Sequence, residues 1–125
     1  MAGLHVMVIE DDPEVRVAME ETLASSGCHV SGYACGETAV AGLDPADPPA
    51  AVVSDIRLSG NLDGHRVVTI LSERVGRAVP AVLITSGPAP ADIGTGAERG
   101  PEILLKPVHA DALLASVAGC VGEGL

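Results

Sequence analysis

The stretch LHVMVIEDDPEV, Leu4 to Val15, decides how the chain is read. Leu4 to Ile9 is short, apolar and rich in β-branched residues, the mark of a strand buried on both faces. Three acids, Glu10, Asp11 and Asp12, then cut the apolar run off. Asp12 suits a helix N-cap and Pro13 suits the first helical turn. From there Val15, Ala18, Met19, Thr22 and Leu23 recur at helical spacing on one face, and Gly27 is a natural stop. A buried strand that feeds a capped helix directly is one β–α unit.

The unit repeats. HVSGY (29–33) predicts a weak strand and GETAVAGL (36–43) a short helix. DPADPP (44–49) is a loop, because its three prolines exclude regular structure. AVVS (51–54) predicts a strand that ends at Asp55. IRLSGNLDG (56–64) is turn-rich, and HRVVTILSERVG (65–76) is a helix with Val67, Val68 and Leu71 inward. PAVLIT (80–85) is another buried strand. SGPAPADIGTGAERGP (86–101) carries four Gly and three Pro. A full helix there is opposed by about 1 kcal/mol per internal Gly and about 3 per Pro. EILL (102–105) is the last strand. HADALLASVAGCV (109–121) is the last helix, with Leu113, Leu114, Val117 and Val121 as its apolar stripe. The alternation predicts an α/β fold: a five-stranded parallel sheet, doubly wound by helices, with a short or missing fourth helix.

Composition narrows the function. A chain of 125 residues has the size of one domain, read as residues 1–125. Nearly half the residues are apolar, but there is one Tyr and no Phe or Trp, so aliphatic side chains must fill the core. The formal net charge of −10 offers no basic face for nucleic acid, so direct DNA or RNA binding is not expected. Cys28, Cys35 and Cys120 are odd in number and lack metal-site spacing, and read as small core residues of a reducing compartment. No signal peptide or apolar run of about 20 residues is present, so a soluble, cytoplasmic protein with no membrane partner is expected. Arg16, Arg66, Arg74 and Arg77 read as solvated helix faces, and His109 as the start of the last helix.

In open parallel sheets the binding site lies beyond the carboxyl ends of the strands. That rule gathers Glu10 and Asp11, Asp55, Thr85 and Ser86, and Lys106 on one rim. Lys106 is the only lysine in the chain. Two carboxylates about 5 Å apart repel by roughly 3 kcal/mol at an effective dielectric of about 20. Three of them with one ammonium remain net negative, so they either raise a pKa or recruit a divalent cation. An all-oxygen set favours Mg²⁺. His5, His29, His65 and His109 are scattered and form no competing zinc set. A carboxylate beside a metal, a lysine and a hydroxyl points to Asp55 as a nucleophile for a phosphoryl group. Lys106 and Mg²⁺ would neutralise the phosphoryl oxygens, and Thr85 would hydrogen-bond them. Taken singly, Asp12 is better read as a helix cap and Thr85 as a strand end, while Asp55 could merely begin a turn and Ser86 could equally be loop. Only their convergence argues for a site.

The motifs VMVIEDDPEV, VVSDIRL, VLITSG and ILLKPV, at these spacings, resemble the receiver domain of bacterial two-component response regulators. The resemblance implies a flavodoxin-like, CheY-like sheet of strand order 2-1-3-4-5. It implies Asp55 as phosphoacceptor, Asp11 as a direct Mg²⁺ ligand, Glu10 acting largely through water, and the main-chain carbonyl of Arg57 as a further ligand. Thr85 and Lys106 match the family's hydroxyl and lysine, and the Lys106–Pro107 bond is often cis in the family. The implied partners are a histidine kinase or phosphotransfer protein and a downstream protein, with a phosphorylation-dependent homodimer left open. There are departures. Ser59 stands where the family usually has Pro, and the SGNLDG loop is one residue longer than in chemotaxis-type receivers. Ile103 replaces a Tyr or Phe that rotates inward when the hydroxyl residue moves. A loop of 86–101 that changes order on phosphorylation is the expected substitute.

The expected function is therefore a stand-alone phosphoacceptor receiver that needs Mg²⁺ and turns over no separate substrate. Two alternatives stand beside it. One is an interaction module that works without phosphorylation and keeps the acidic pocket as a relic. The other is a Mg²⁺-dependent phosphohydrolase, which the lack of a second Asp two residues after Asp55 disfavours.

Overall fold

The computed structural model describes residues 3–58, 60, 62–86 and 102–122. In chain order these form β1 (His5–Ile9), α1 (Pro13–Ser25), β2 (His29–Tyr33), α2 (Gly36–Gly42), β3 (Ala51–Asp55), α3 (Gly64–Val75), β4 (Ala81–Thr85), β5 (Glu102–Leu105) and α4 (Ala110–Cys120). The strands form one parallel sheet of order β2-β1-β3-β4-β5. The α/β, doubly wound reading holds, with each boundary within one residue of its span in the sequence. The short or missing fourth helix, the ordering of 87–101 and the identity change at Ser59 lie outside the described residues.

Burial explains why some strands are plain in sequence and others faint. All five residues of β3 and of β4 are buried, as a strand covered on both faces requires. β2 and β5 are the sheet edges, with exposed and half-buried positions. Side chains alternate between faces, so one face holds Val6, Val8, Val53, Val82 and Ile84 against Met19 and Leu23 of α1 and Leu113 and Val117 of α4. The other holds Met7, Ile9 and Val52 against Ala39 of α2 and Val67 and Leu71 of α3.

Three local readings need correction. On α1 only Met19 and Leu23 are buried, and Ala18 is exposed, because α1 leaves a groove towards α4 that Ala18 and Thr22 line. Of the cysteines only Cys28 is buried; Cys35 stands at the N-cap position of α2, its thiol 3.4 Å from Thr38 Oγ1 and not bonded to the helix amides. Arg16 is half-buried rather than part of a solvated face, its guanidinium bonded to the Glu10 carbonyl.

Candidate functional site

The carboxyl rim is assembled by register. Asp55 ends β3 and pairs with Ile84, which places Thr85, the last residue of β4, beside it. Lys106 follows β5 and its amide donates to Thr85 O at 2.8 Å. Its side chain must cross the end of β4 to reach β3, two strand spacings of about 4.8 Å each. It does so: Nζ lies 3.0 Å from Asp55 Oδ2 and 3.2 Å from Glu10 Oε1. Glu10, Asp55 and Lys106, the first and last of them 96 positions apart in sequence, thus meet through the ammonium group.

Glu10 is the most constrained member. It is fully buried. Its amide donates to Tyr33 O at 3.0 Å, and its Oε2 accepts from the Asp12 amide at 3.1 Å. Arg16 Nη1 donates to its carbonyl at 2.8 Å. Asp12 serves as the cap of α1, accepting from the amides of Glu14 and Val15. Asp11, between them, is exposed, yet its carboxylate reaches to within 4.8 Å of those of Glu10 and Asp55.

Burial pushes the Glu10 carboxyl up to about 7, helped by the Asp55 and Asp11 carboxylates and opposed by the Asp12 amide. The Lys106 ammonium also opposes the rise, but it is shared with Asp55, and burial prevails. For Lys106 the balance is reversed. Burial pulls the ammonium down, while its hydrogen bond to Asp55 and its ion pair with Glu10 outweigh that and hold the group above the usual lysine value.

The pocket has acceptor capacity left over. Asp55 Oδ1 is buried with no hydrogen-bond partner. Glu10 Oε1 has only the ion pair with Lys106, without hydrogen-bond geometry. Unsatisfied buried carboxylate oxygens in a net-negative cluster call for a cation. An all-oxygen set of this kind suits Mg²⁺.

The remaining expected residues are spread around this centre. Thr85 is buried at the end of β4, and Ser86 beyond it is exposed. Arg57 lies exposed in the bend after β3. Ile103, on β5, packs against Ile56 and Leu83 rather than over the pocket. The Lys106–Pro107 peptide bond is cis.

Three supporting residues were not legible as such. Arg16 reaches back to the Glu10 carbonyl. Ser54 is fully buried and its hydroxyl donates to Asp55 O at 2.8 Å. Gly64 packs its bare Cα against that same carbonyl: a Cβ there would overlap Asp55 O and come within 2.8 Å of Ser54 Oγ. A lone serine in an apolar strand and the Asp63–Gly64 pair were the available signals; Arg16 gave none.

A doubly wound parallel sheet with an acid cluster and one lysine at its carboxyl rim defines a receiver-type α/β domain. The chain belongs to the response regulator receiver domain family, which it matches over residues 6–118. It is 35% identical over 119 residues to the C4-dicarboxylate transport transcriptional regulatory protein DctD of Rhizobium meliloti, covering 92% of this chain and 25% of that protein. It is 33% identical over 126 residues to the transcriptional regulatory protein TcrA of Mycobacterium tuberculosis, covering 99% of this chain and 48% of that one. The chain thus spans a quarter to a half of the length of these relatives. A response regulator receiver protein from Sinorhizobium medicae superposes with a TM-score of 0.82 at 24% identity, over 96% of this chain and 95% of that one. The receiver domain of a Pseudomonas aeruginosa sensor histidine kinase, with a magnesium ion coordinated in its active-site cleft, superposes with a TM-score of 0.79 at 27% identity. That match covers 98% of this chain and all of the other.

The chain is therefore a receiver domain of the response regulators of two-component systems. Among the described residues no helix is long and apolar enough to cross a membrane.

Proposed function

We propose that Asp55 is the phosphoacceptor and that residues 1–125 act as one receiver domain. The observation that carries this is the state of the Asp55 carboxylate: Oδ2 is held by Lys106 at 3.0 Å while Oδ1 is buried and unpartnered. One oxygen is anchored and the other is free to react. In the transfer, an Asp55 oxygen forms a bond to the phosphorus of a phosphohistidine as the P–N bond breaks. The electron pair passes to the imidazole nitrogen, which takes up a proton. Lys106 stays beside the carboxylate and neutralises one phosphoryl oxygen, and the Thr85 hydroxyl donates to another.

Glu10, Asp11 and Asp55, with the Arg57 carbonyl, would hold Mg²⁺, which supplies charge neutralisation for the phosphoryl oxygens when bound. The unsatisfied oxygens of Glu10 and Asp55 support this assignment, and a magnesium-bound neighbour at 27% identity points the same way. The partners on this reading are a histidine kinase or phosphotransfer protein upstream and an effector protein downstream. No turnover of a separate substrate is expected.

Incubation with acetyl phosphate and Mg²⁺ followed by intact mass measurement tests the assignment. Wild type gains one phosphoryl mass and Asp55→Asn gains none. An adduct that persists in Asp55→Asn overturns it, and continuing hydrolysis of phosphate esters would favour a phosphohydrolase. Ile103, packed on Ile56 and Leu83 where an aromatic rotor would stand, keeps the phosphorylation-independent reading as the second one. Equal binding of an effector to phosphorylated wild type and to Asp55→Asn would select it.

A further inference from the structure

Arg16 touches the acid run at both of its ends. Its backbone amide donates to Asp12 O at 2.9 Å, and its guanidinium Nη1 donates to Glu10 O at 2.8 Å. The three-residue turn Glu10–Asp11–Asp12 is thereby closed by one residue of α1. Inside the turn the Asp12 amide donates to Glu10 Oε2 at 3.1 Å. Asp11, the exposed middle residue, brings its carboxylate to within 4.8 Å of those of Glu10 and Asp55, and its direction follows from how the flanking carbonyls are held.

The route of the Arg16 side chain is also specific. It runs over β2 where that strand has Gly32. A Cβ at Gly32 would overlap the Glu20 carboxylate and come within 3.6 Å of Arg16 Cδ. The bare backbone at this point leaves a channel along which the partly buried guanidinium reaches the end of β1.

We propose that Arg16 is a positioning residue for the cation site: by clamping the Glu10–Asp12 turn it aims the Asp11 carboxylate at the pocket shared with Glu10 and Asp55. The inference rests on the Mg²⁺ reading above. It has a signature that separates it from a charge effect. A guanidinium near a cation site repels the cation, so a purely electrostatic role makes Mg²⁺ bind more tightly once the charge is removed. A clamp makes it bind more weakly. Lys in place of Arg keeps the charge and loses the planar fork that spans to the carbonyl.

The test is a Mg²⁺ titration of the unphosphorylated protein, followed by amide chemical shifts of residues 10–12, in wild type, Arg16→Ala, Arg16→Lys and the exposed Arg74→Ala. Circular dichroism confirms that each variant is folded. Arg16→Ala is expected to weaken Mg²⁺ about tenfold, as loss of a partner that orients ligands does. Arg16→Lys weakens it in the same direction, and Arg74→Ala leaves it within about twofold, since exposed distant charges are screened. Should Arg16→Ala fail to fold, Arg16→Lys decides alone. Mg²⁺ binding in the Arg16 variants that equals or exceeds wild type overturns the inference while leaving the pocket assignment standing. Absence of any Mg²⁺ binding by wild type overturns both.

Discussion

Asp55 ends a strand whose five residues are all buried, whereas Lys106 follows a strand whose four residues are exposed or half-buried. The two halves of the rim differ in the same way at every level. On the acid side, Glu10 is fixed by its amide, its carbonyl and its carboxylate, and Asp55 O is held by the Ser54 hydroxyl and capped by Gly64. On the cation side, Lys106 has a backbone bond to Thr85 and a side chain that remains 30% exposed. The like charges, which repel, are fixed in place by the fold. The compensating charge is on a flexible arm. Such a division suits a site in which the group between acid and amine must come and go.

The largest expected effect breaks the rigid half. Gly64→Ala drives a methyl group into the Asp55 carbonyl and against the Ser54 hydroxyl, and the carbonyl is backbone that cannot turn aside. Overpacking against backbone typically costs 1–3 kcal/mol and occasionally more, and about 3 is expected here. Urea denaturation measures it. A loss below about 1 kcal/mol would show that α3 can retreat from β3, and the acid half would not be the rigid one.

The next effect is a pH slope. The folded carboxyl of Glu10 is raised from 4.5 to about 7, so between those values the folded state binds more protons than the unfolded state. The unfolded-minus-folded proton difference is negative, and this group's contribution to stability falls as pH rises through that window. One pKa unit corresponds to about 1.4 kcal/mol, which puts the loss on the order of 3 kcal/mol. Denaturation of metal-free protein at pH 4.5 and at pH 7.5, in wild type and in Glu10→Gln, isolates it as the difference in slope. The variant should lack this falling component. Saturating Mg²⁺ should remove it from wild type too, because a cation favours the ionised carboxylate. Equal slopes in wild type and variant would mean that Lys106 fully compensates the buried acid.

These contrasts also mark what the amino-acid sequence reveals. β1, β3 and β4 are readable because double burial writes an unbroken aliphatic run, and Asp55 and Glu10 are readable because a charge that ends such a run is conspicuous. The pairing of Lys106 with Asp55 follows once the sheet is parallel. The supporting contacts are less visible. Arg16 lies on the polar side of α1, and helical periodicity cannot distinguish an arginine in solvent from one reaching a carbonyl six residues earlier. The exposure of Ala18 is likewise set by the groove between α1 and α4, a tertiary gap that no periodicity records. Ser54 and Gly64 matter through the close approach of the start of α3 to the end of β3, which no periodicity records.

A smaller effect is expected on the flexible half. Lys106→Met removes the ion pairs to Asp55 and Glu10 and leaves their oxygens less compensated. Breaking a fully buried pair costs 3–5 kcal/mol, but exposed pairs contribute about 0–1. With the lysine side chain 30% exposed, about 1–2 kcal/mol at pH 7.5 is expected, shrinking towards pH 4.5 as Glu10 takes up its proton. Phosphoryl uptake from acetyl phosphate should slow far more than stability changes. If stability falls by more than about 3 kcal/mol, Lys106 belongs to the rigid half after all.

The smallest effect is at Leu105, the residue just before that lysine. It is 66% exposed although it lies on a strand and pairs in register with the buried Thr85. Removing its exposed isobutyl group forfeits little buried area, and threonine is a good strand former on a half-open surface. Leu105→Thr should therefore change stability by no more than about 0.5 kcal/mol, the usual range for surface positions. Acetyl phosphate uptake should be unaltered, since the backbone bond from Lys106 to Thr85 does not depend on that side chain. A loss above about 1.5 kcal/mol would require Leu105 to be covered in solution, and the edge strand would then be as fully packed as the strand that ends in Asp55.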